Sequence, residues 1–147
     1  MYHYQFVSED GCFRLPPSFT LYKCVILIDR EVTPAFREEV SRALVATGCR
    51  YALAWGRECS LWDDSIDLAD LERFDFGHIP DDQFVMTTWH ANEPIHEPFV
   101  HAKLCAKLSY DDRALTDLLV LDIGPEERAE EVRAIYDWVE AGGGLDD

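Results

Sequence analysis

The chain has 147 residues, 48% of them hydrophobic, with four Trp, six Tyr and eight Phe. That is enough for one domain with its own core and excludes the apolar-poor composition of disorder. Its formal net charge of −16 repels nucleic acid and anionic membrane and favours cationic protein surfaces.

The first 21 residues read as an N-terminal extension. Tyr4-Gln5-Phe6-Val7 is compatible with an added edge strand, and Pro16-Pro17 marks an extended connection. Residues 22–141 form a single α/β domain. Lys23 to Ile28 is a continuous apolar run, as expected of a strand covered on both faces. Thr33 can cap the helix that follows, with Pro34 in its first turn, Phe36, Val40, Ala43 and Leu44 on one face, and Gly48 at its exit. Tyr51 to Trp55 resumes strand and stops at Gly56. A short helix is predicted within Ser65 to Phe74, and Phe76 to Asp82 reads as loop.

Phe84 to Trp89 is the next strand, followed by a helix from Ile95 to Leu108 that tolerates Pro98 only near its start. Leu118 to Ile123 is the last strand. Pro125 opens the last helix, with Glu126 and Glu127 in its first turn, Ala129, Val132, Ile135, Tyr136 and Val139 facing inward, and Trp138 packing beside Val139. Gly142-Gly143-Gly144 and the acidic end, residues 142–147, read as a flexible tail. Repeated strand-then-helix units predict a single open, mostly parallel sheet of four to five strands with helices on both faces, a three-layer Rossmann-like or flavodoxin-like α/β fold.

The negative charge is localised. Between Leu61 and Asp82, eight acids oppose only Arg73, a net of −7; from Asp117 to Asp147, ten acids oppose Arg128 and Arg133, a net of −8. The second excess is accounted for by the outward face of the last helix and the tail. The first begins where ligands gather in open α/β sheets, beyond the carboxyl ends of strands. Trp55, Arg57, Cys59, Trp62, Asp63 and Asp64 follow the second core strand, Trp89, His90 and Glu93 stand at the exit of the third, Asp29 follows the first and Asp122 ends the fourth.

Three chemistries are compatible with these residues. Tryptophan and arginine beside carboxylates suit an interface, so Trp55, Arg57, Trp62, Asp63, Asp64 and Trp89 are the predicted binding residues for a basic protein surface. The alternative is a small cysteine-dependent hydrolase or transferase, with Cys59 as nucleophile, His90 as base and Asp122 or Asp29 as orienter. The third is metal binding by Cys59, Asp63 and His90. His96 and His101 are five apart with Pro98 between them, which is not the zinc-protease spacing, and no glycine-rich phosphate loop follows any strand, so no cofactor is expected. The five cysteines lack paired short spacing and suit reduced thiols, the start lacks a signal peptide, and no apolar run is long enough to span a bilayer; a cytoplasmic protein without membrane contact is the expectation.

Two signatures, Trp55-Gly56-x-x-Cys59-x-x-Trp62-Asp63-Asp64-Ser65 and Val85-Met86-Thr87-Thr88-Trp89-His90, joined by Ile79-Pro80-Asp81-Asp82, resemble those of a family of small bacterial α/β proteins with no assigned activity. The resemblance implies one compact bacterial domain and transfers no reaction. In composition alone, the chain is also similar to acidic immunity proteins and inhibitors that cover basic toxin surfaces.

Overall fold

The computed structural model describes residues 1–9, 12–108 and 113–145; the last two acids of the predicted tail lie outside them. Five strands, β1 (Tyr2–Phe6), β2 (Tyr22–Ile28), β3 (Cys49–Gly56), β4 (Met86–His90) and β5 (Leu118–Ile123), form one sheet in the order β1-β5-β2-β3-β4, with every pairing parallel. Four helices connect or follow them: α1 (Pro34–Thr47), α2 (Cys59–Glu72), α3 (Glu97–Cys105) and α4 (Ala129–Glu140). The chain is an open α/β domain.

The alternation of strand side chains divides the core in two. Cys24, Ile26, Ile28, Ala52, Ala54, Leu119 and Leu121 pack under α1 and α2, against Val40, Leu44, Trp62 and Ile66. Val25, Leu27, Leu53 and Val120 face the other way, toward Phe99 and Val100 of α3 and Val132 and Val139 of α4. Both faces of β2 and β5 are therefore apolar, which is why these strands read as unbroken hydrophobic runs.

α1 begins as its sequence predicts: Thr33 Oγ1 accepts the Phe36 N–H, Pro34 occupies the first turn, and Gly48 ends the helix with φ 108°. α2 starts earlier than predicted. Gly56 at φ 106° and Glu58 at φ 52° make a tight turn, and the helix begins at Cys59 directly behind it. A Cβ on Gly56 would collide with the Ile28 carbonyl oxygen, so only glycine allows this close approach. Trp62-Asp63-Asp64 thus lies inside the helix, ahead of the Ser65 start predicted. Trp62, Ile66 and Ala69 then share one stripe and are buried.

α4 starts at Ala129, four residues after Pro125, because Arg128 is drawn inward in a non-helical conformation, φ −142° and ψ 44°, to meet Asp122. Glu130 and Glu131, not Glu126 and Glu127, occupy its first turn, while Glu127 Oε1 accepts the Ala129 N–H. Trp138 is half-exposed; its ring lies against Gly143 and stands edge-on to His96 at 5.3 Å.

Candidate functional site

The carboxyl ends of the strands present one cross-strand row. Phe6 pairs with Asp122, Asp122 with Leu27, Leu27 with Trp55, and Trp55 with His90. Side chains in register across parallel strands share a face, so Asp122 and His90 both point toward α3 and α4. Three strand spacings separate β5 from β4, roughly 14 Å at about 4.8 Å each. Asp122 is out of hydrogen-bond reach of His90. Cys59 lies on the opposite face, 2% exposed in the core with Trp62 and Ile66. The candidate nucleophile, base and orienter are therefore not brought together, and neither are Cys59, Asp63 and His90 as metal ligands. Among the described residues no group of three or more His, Cys, Asp or Glu could hold a metal ion.

His90 instead belongs to a cluster that spacing alone had not suggested. Its Nε2 lies 3.0 Å from Thr88 Oγ1 and its Nδ1 3.2 Å from Glu93 Oε1. A turn through Asn92, φ 60°, brings Glu93 back over the strand, and Trp55 Nε1 donates to the Glu93 carbonyl at 2.7 Å. From α3, the His101 ring meets His90 edge-on at 5.3 Å, and Tyr51 Oη lies 3.0 Å from His101 Nε2. Burial, and then the neighbouring His90, lower the His101 pKa, against an opposing contribution from Glu93. The i, i+2 pair Thr88 and His90 and the i, i+3 pair His90 and Glu93 were visible signals for half of this cluster.

Asp122 has its own partners. Arg128 Nε donates to both carboxylate oxygens at 3.1 and 3.0 Å, Arg128 Nη2 to Oδ1 at 2.9 Å, and the Tyr4 hydroxyl to Oδ2. Arg128 Nη1 reaches Asp29 Oδ2 at 3.1 Å. Burial alone would lower the guanidinium pKa, but the Asp122 hydrogen bonds and charge, then Asp29, outweigh it and the net shift is upward. This network stands where connections leave β2 and β5 toward opposite faces. Its groups satisfy one another, so it ties the sheet ends together.

The remaining predicted residues sort by exposure. Trp62 is fully buried, edge-on to Phe36 at 6.5 Å, so the ring expected at an interface is core. Trp55 is half-buried, Arg57 and Asp64 are exposed, and Trp89 is 52% exposed. Along α2, Asp63, Asp67 and Asp70 follow one another at i, i+4 and i+7 on the side facing β4. Asp70 is buried, accepting the Val85 N–H at 3.1 Å and pairing with Arg73 at 2.9 Å. Asp67 accepts the Thr87 hydroxyl at 3.0 Å. Asp63 Oδ1 is buried without a hydrogen-bond partner among the described residues. Partial desolvation beside β4 raises the Asp67 pKa; the Thr87 hydrogen bond opposes it, and the charges of Asp63, Asp64 and Asp70 add to it.

A family model described as a domain of unknown function, DUF7684, matches residues 2–138. The chain belongs to the DUF7684 family. The match runs from β1 into α4, so the family's domain contains all five strands and both sets of residues described above. No curated protein and no solved structure matches the chain. Among the described residues, no helix is long and apolar enough to cross a membrane.

Proposed function

We propose that this chain is a protein-binding module that docks a basic partner through the edge formed by α2 and β4. One observation carries the reading. Of the ten large apolar side chains exposed among the described residues, six come from the stretch 61–89: Leu61 and Leu68 on the side of α2 toward α1, and Phe76, Phe84, Met86 and Trp89 along the segment that leads from α2 into β4. The same stretch contains the segment with a net charge of −7. Apolar anchors set among like charges are the composition of a binding surface for an oppositely charged protein: charge raises the encounter rate and the aromatic ring supplies affinity.

Two refinements of the predicted interface follow from exposure. With Trp62 buried, Trp89 is the exposed aromatic anchor of the predicted set, and Asp64 and Asp67 are accessible carboxylates of α2, since Asp70 is spent on Val85 and Arg73. The raised pKa of Asp67 supports the reading, because a nearby cation on a partner relieves the same crowding of charge that raises it. A surface of this kind suits an inhibitory or immunity role against a basic protein in the bacterial cytoplasm.

The test is affinity capture over a salt series, followed by reconstitution with the purified partner. A basic protein released by rising salt, and no longer bound after Trp89→Ala or the double change Asp64→Asn/Asp67→Asn, is the expected result. Unchanged binding by those variants overturns the assignment of this surface.

A further inference from the structure

The two edges of the sheet differ. At β1 the chain folds back on the edge region: His3 Nε2 lies 3.1 Å from the Arg14 carbonyl, and Phe13 and Leu15 pack against the core. Among the described residues, none does the same at β4. Met86 to His90 pair with β3 on one side, and among the described residues no backbone hydrogen bond joins this strand to any other segment.

Natural sheets blunt bare edges with lysine, proline or a bulge. The sequence Met86-Thr87-Thr88-Trp89-His90 has no lysine or proline, and its pairing with β3 runs without a register shift. In a parallel pair, alternate residues turn both N–H and C=O away from the partner, so β4 offers a row of main-chain donors and acceptors to the outside. Beside that row stand the exposed Met86 and Trp89 and, on the side of α2 that faces β4, Asp63 and Asp67.

From this we infer that β4 is completed by an extended basic segment of the partner, which adds as a sixth strand and sets its lysines or arginines against the α2 carboxylates. The inference rests on the docking surface proposed above and adds the manner of attachment. Main-chain bonds to β4 give the segment its grip, and Met86 and Trp89 flank its side chains. A second copy of the chain is the less suitable occupant. Two β4 strands joined by a two-fold axis bring both α2 helices to the same face of the joined sheet, acid against acid, in molecules of net charge −16 each.

The probe is a synthetic peptide of about ten residues alternating lysine and valine, long enough to cover a strand. Its control has the same side chains with every backbone nitrogen methylated, which keeps the charge and removes the donors. Isotope-labelled protein is titrated with each at low ionic strength, reading amide resonances and hydrogen exchange. The expected result is that the first peptide slows exchange of the outward β4 amides about tenfold and binds about tenfold more tightly than the methylated control. Equal binding of the two peptides without protection of β4 overturns strand addition. In that case, loss of binding in Asp64→Asn/Asp67→Asn leaves the charged docking surface standing on its own. Absence of any shift in α2 or β4 with either peptide overturns strand addition and counts against the docking surface as well. Protected β4 amides in the free protein, with concentration-dependent sedimentation, identify a second copy as the occupant and overturn the inference.

Discussion

Arg128 and Asp122 lie six residues apart in the chain, yet the guanidinium wraps both oxygens of a carboxylate that is fully buried. The same guanidinium reaches Asp29 at the end of β2, so one side chain closes the ends of β2 and β5. A buried charge deprived of its partner is far more costly than the pair is stabilising. Arg128→Met therefore lowers unfolding free energy by about 3–5 kcal/mol, and the double change Arg128→Met/Asp122→Asn recovers a large part of that loss. Denaturant midpoints of the two variants, compared with the native chain, measure the difference.

Thiol accessibility separates binding from cysteine chemistry. Cys12 and Cys105 are exposed, whereas Cys24, Cys49 and Cys59 are buried. In native buffer a disulfide reagent reacts promptly at Cys12 and Cys105, and Cys59 reacts at the rate of the other buried thiols. Burial also pushes the Cys49 thiol up to about 12, deepening its protection. Fast modification of Cys59, mapped by mass spectrometry, contradicts its place in the core.

Asp67, on the proposed docking surface, gives a pH signature. Its pKa in the fold is raised, so its contribution to stability is complete below the unfolded carboxylate value and is lost as pH rises through the folded value. At neutral pH the native chain bears that cost and Asp67→Asn does not. The variant is more stable at pH 7 by about 0.3 kcal/mol, a figure kept small by solvent screening, and the advantage disappears below about pH 4. Thermal melts at the two pH values check both size and sign.

His101 has the opposite sign. Its folded pKa is lowered by burial and by His90, so the stability it contributes is present above about pH 6.5 and is lost as pH falls toward the folded value. His101→Gln flattens this part of the stability profile, with the hydrogen bond to Tyr51 within reach of the amide. Imidazole resonances of the native protein report the titration directly.

The clearest readings from sequence were those resting on local physics. Leu118 to Ile123 forms β5 as predicted, because a short apolar run has one economical place in a doubly covered sheet. The cap and exit of α1 at Thr33 and Gly48 were equally plain. What escaped depended on contacts between distant segments. β4 begins two residues later than predicted, after Val85 has given its N–H to Asp70. The start of α2 depends on Gly56 lying against Ile28, and that backbone contact decides whether Trp62 is inside or out. The late start of α4 depends on Arg128 finding Asp122. Cys59, His90 and Asp122 all stand near strand ends as expected, but strand order and face, neither of which spacing encodes, keep them apart.

The pairing of β1 with β5 imposes an order on assembly. Among the described strands β1 pairs with β5 alone, the strand farthest from it in the sequence, through contacts such as Tyr2 with Leu118 and Phe6 with Asp122. During synthesis β2, α1, β3, α2 and β4 can collect as a growing three-stranded sheet, while Tyr2–Phe6 waits more than a hundred residues for β5. Insertion of β5 between β1 and β2 then completes the sheet in one step and buries Asp122 with its arginine. Until β5 has been made, the growing chain carries two unsatisfied strands, β1 and the inner edge of β2, and that interval is when a chaperone has most to hold.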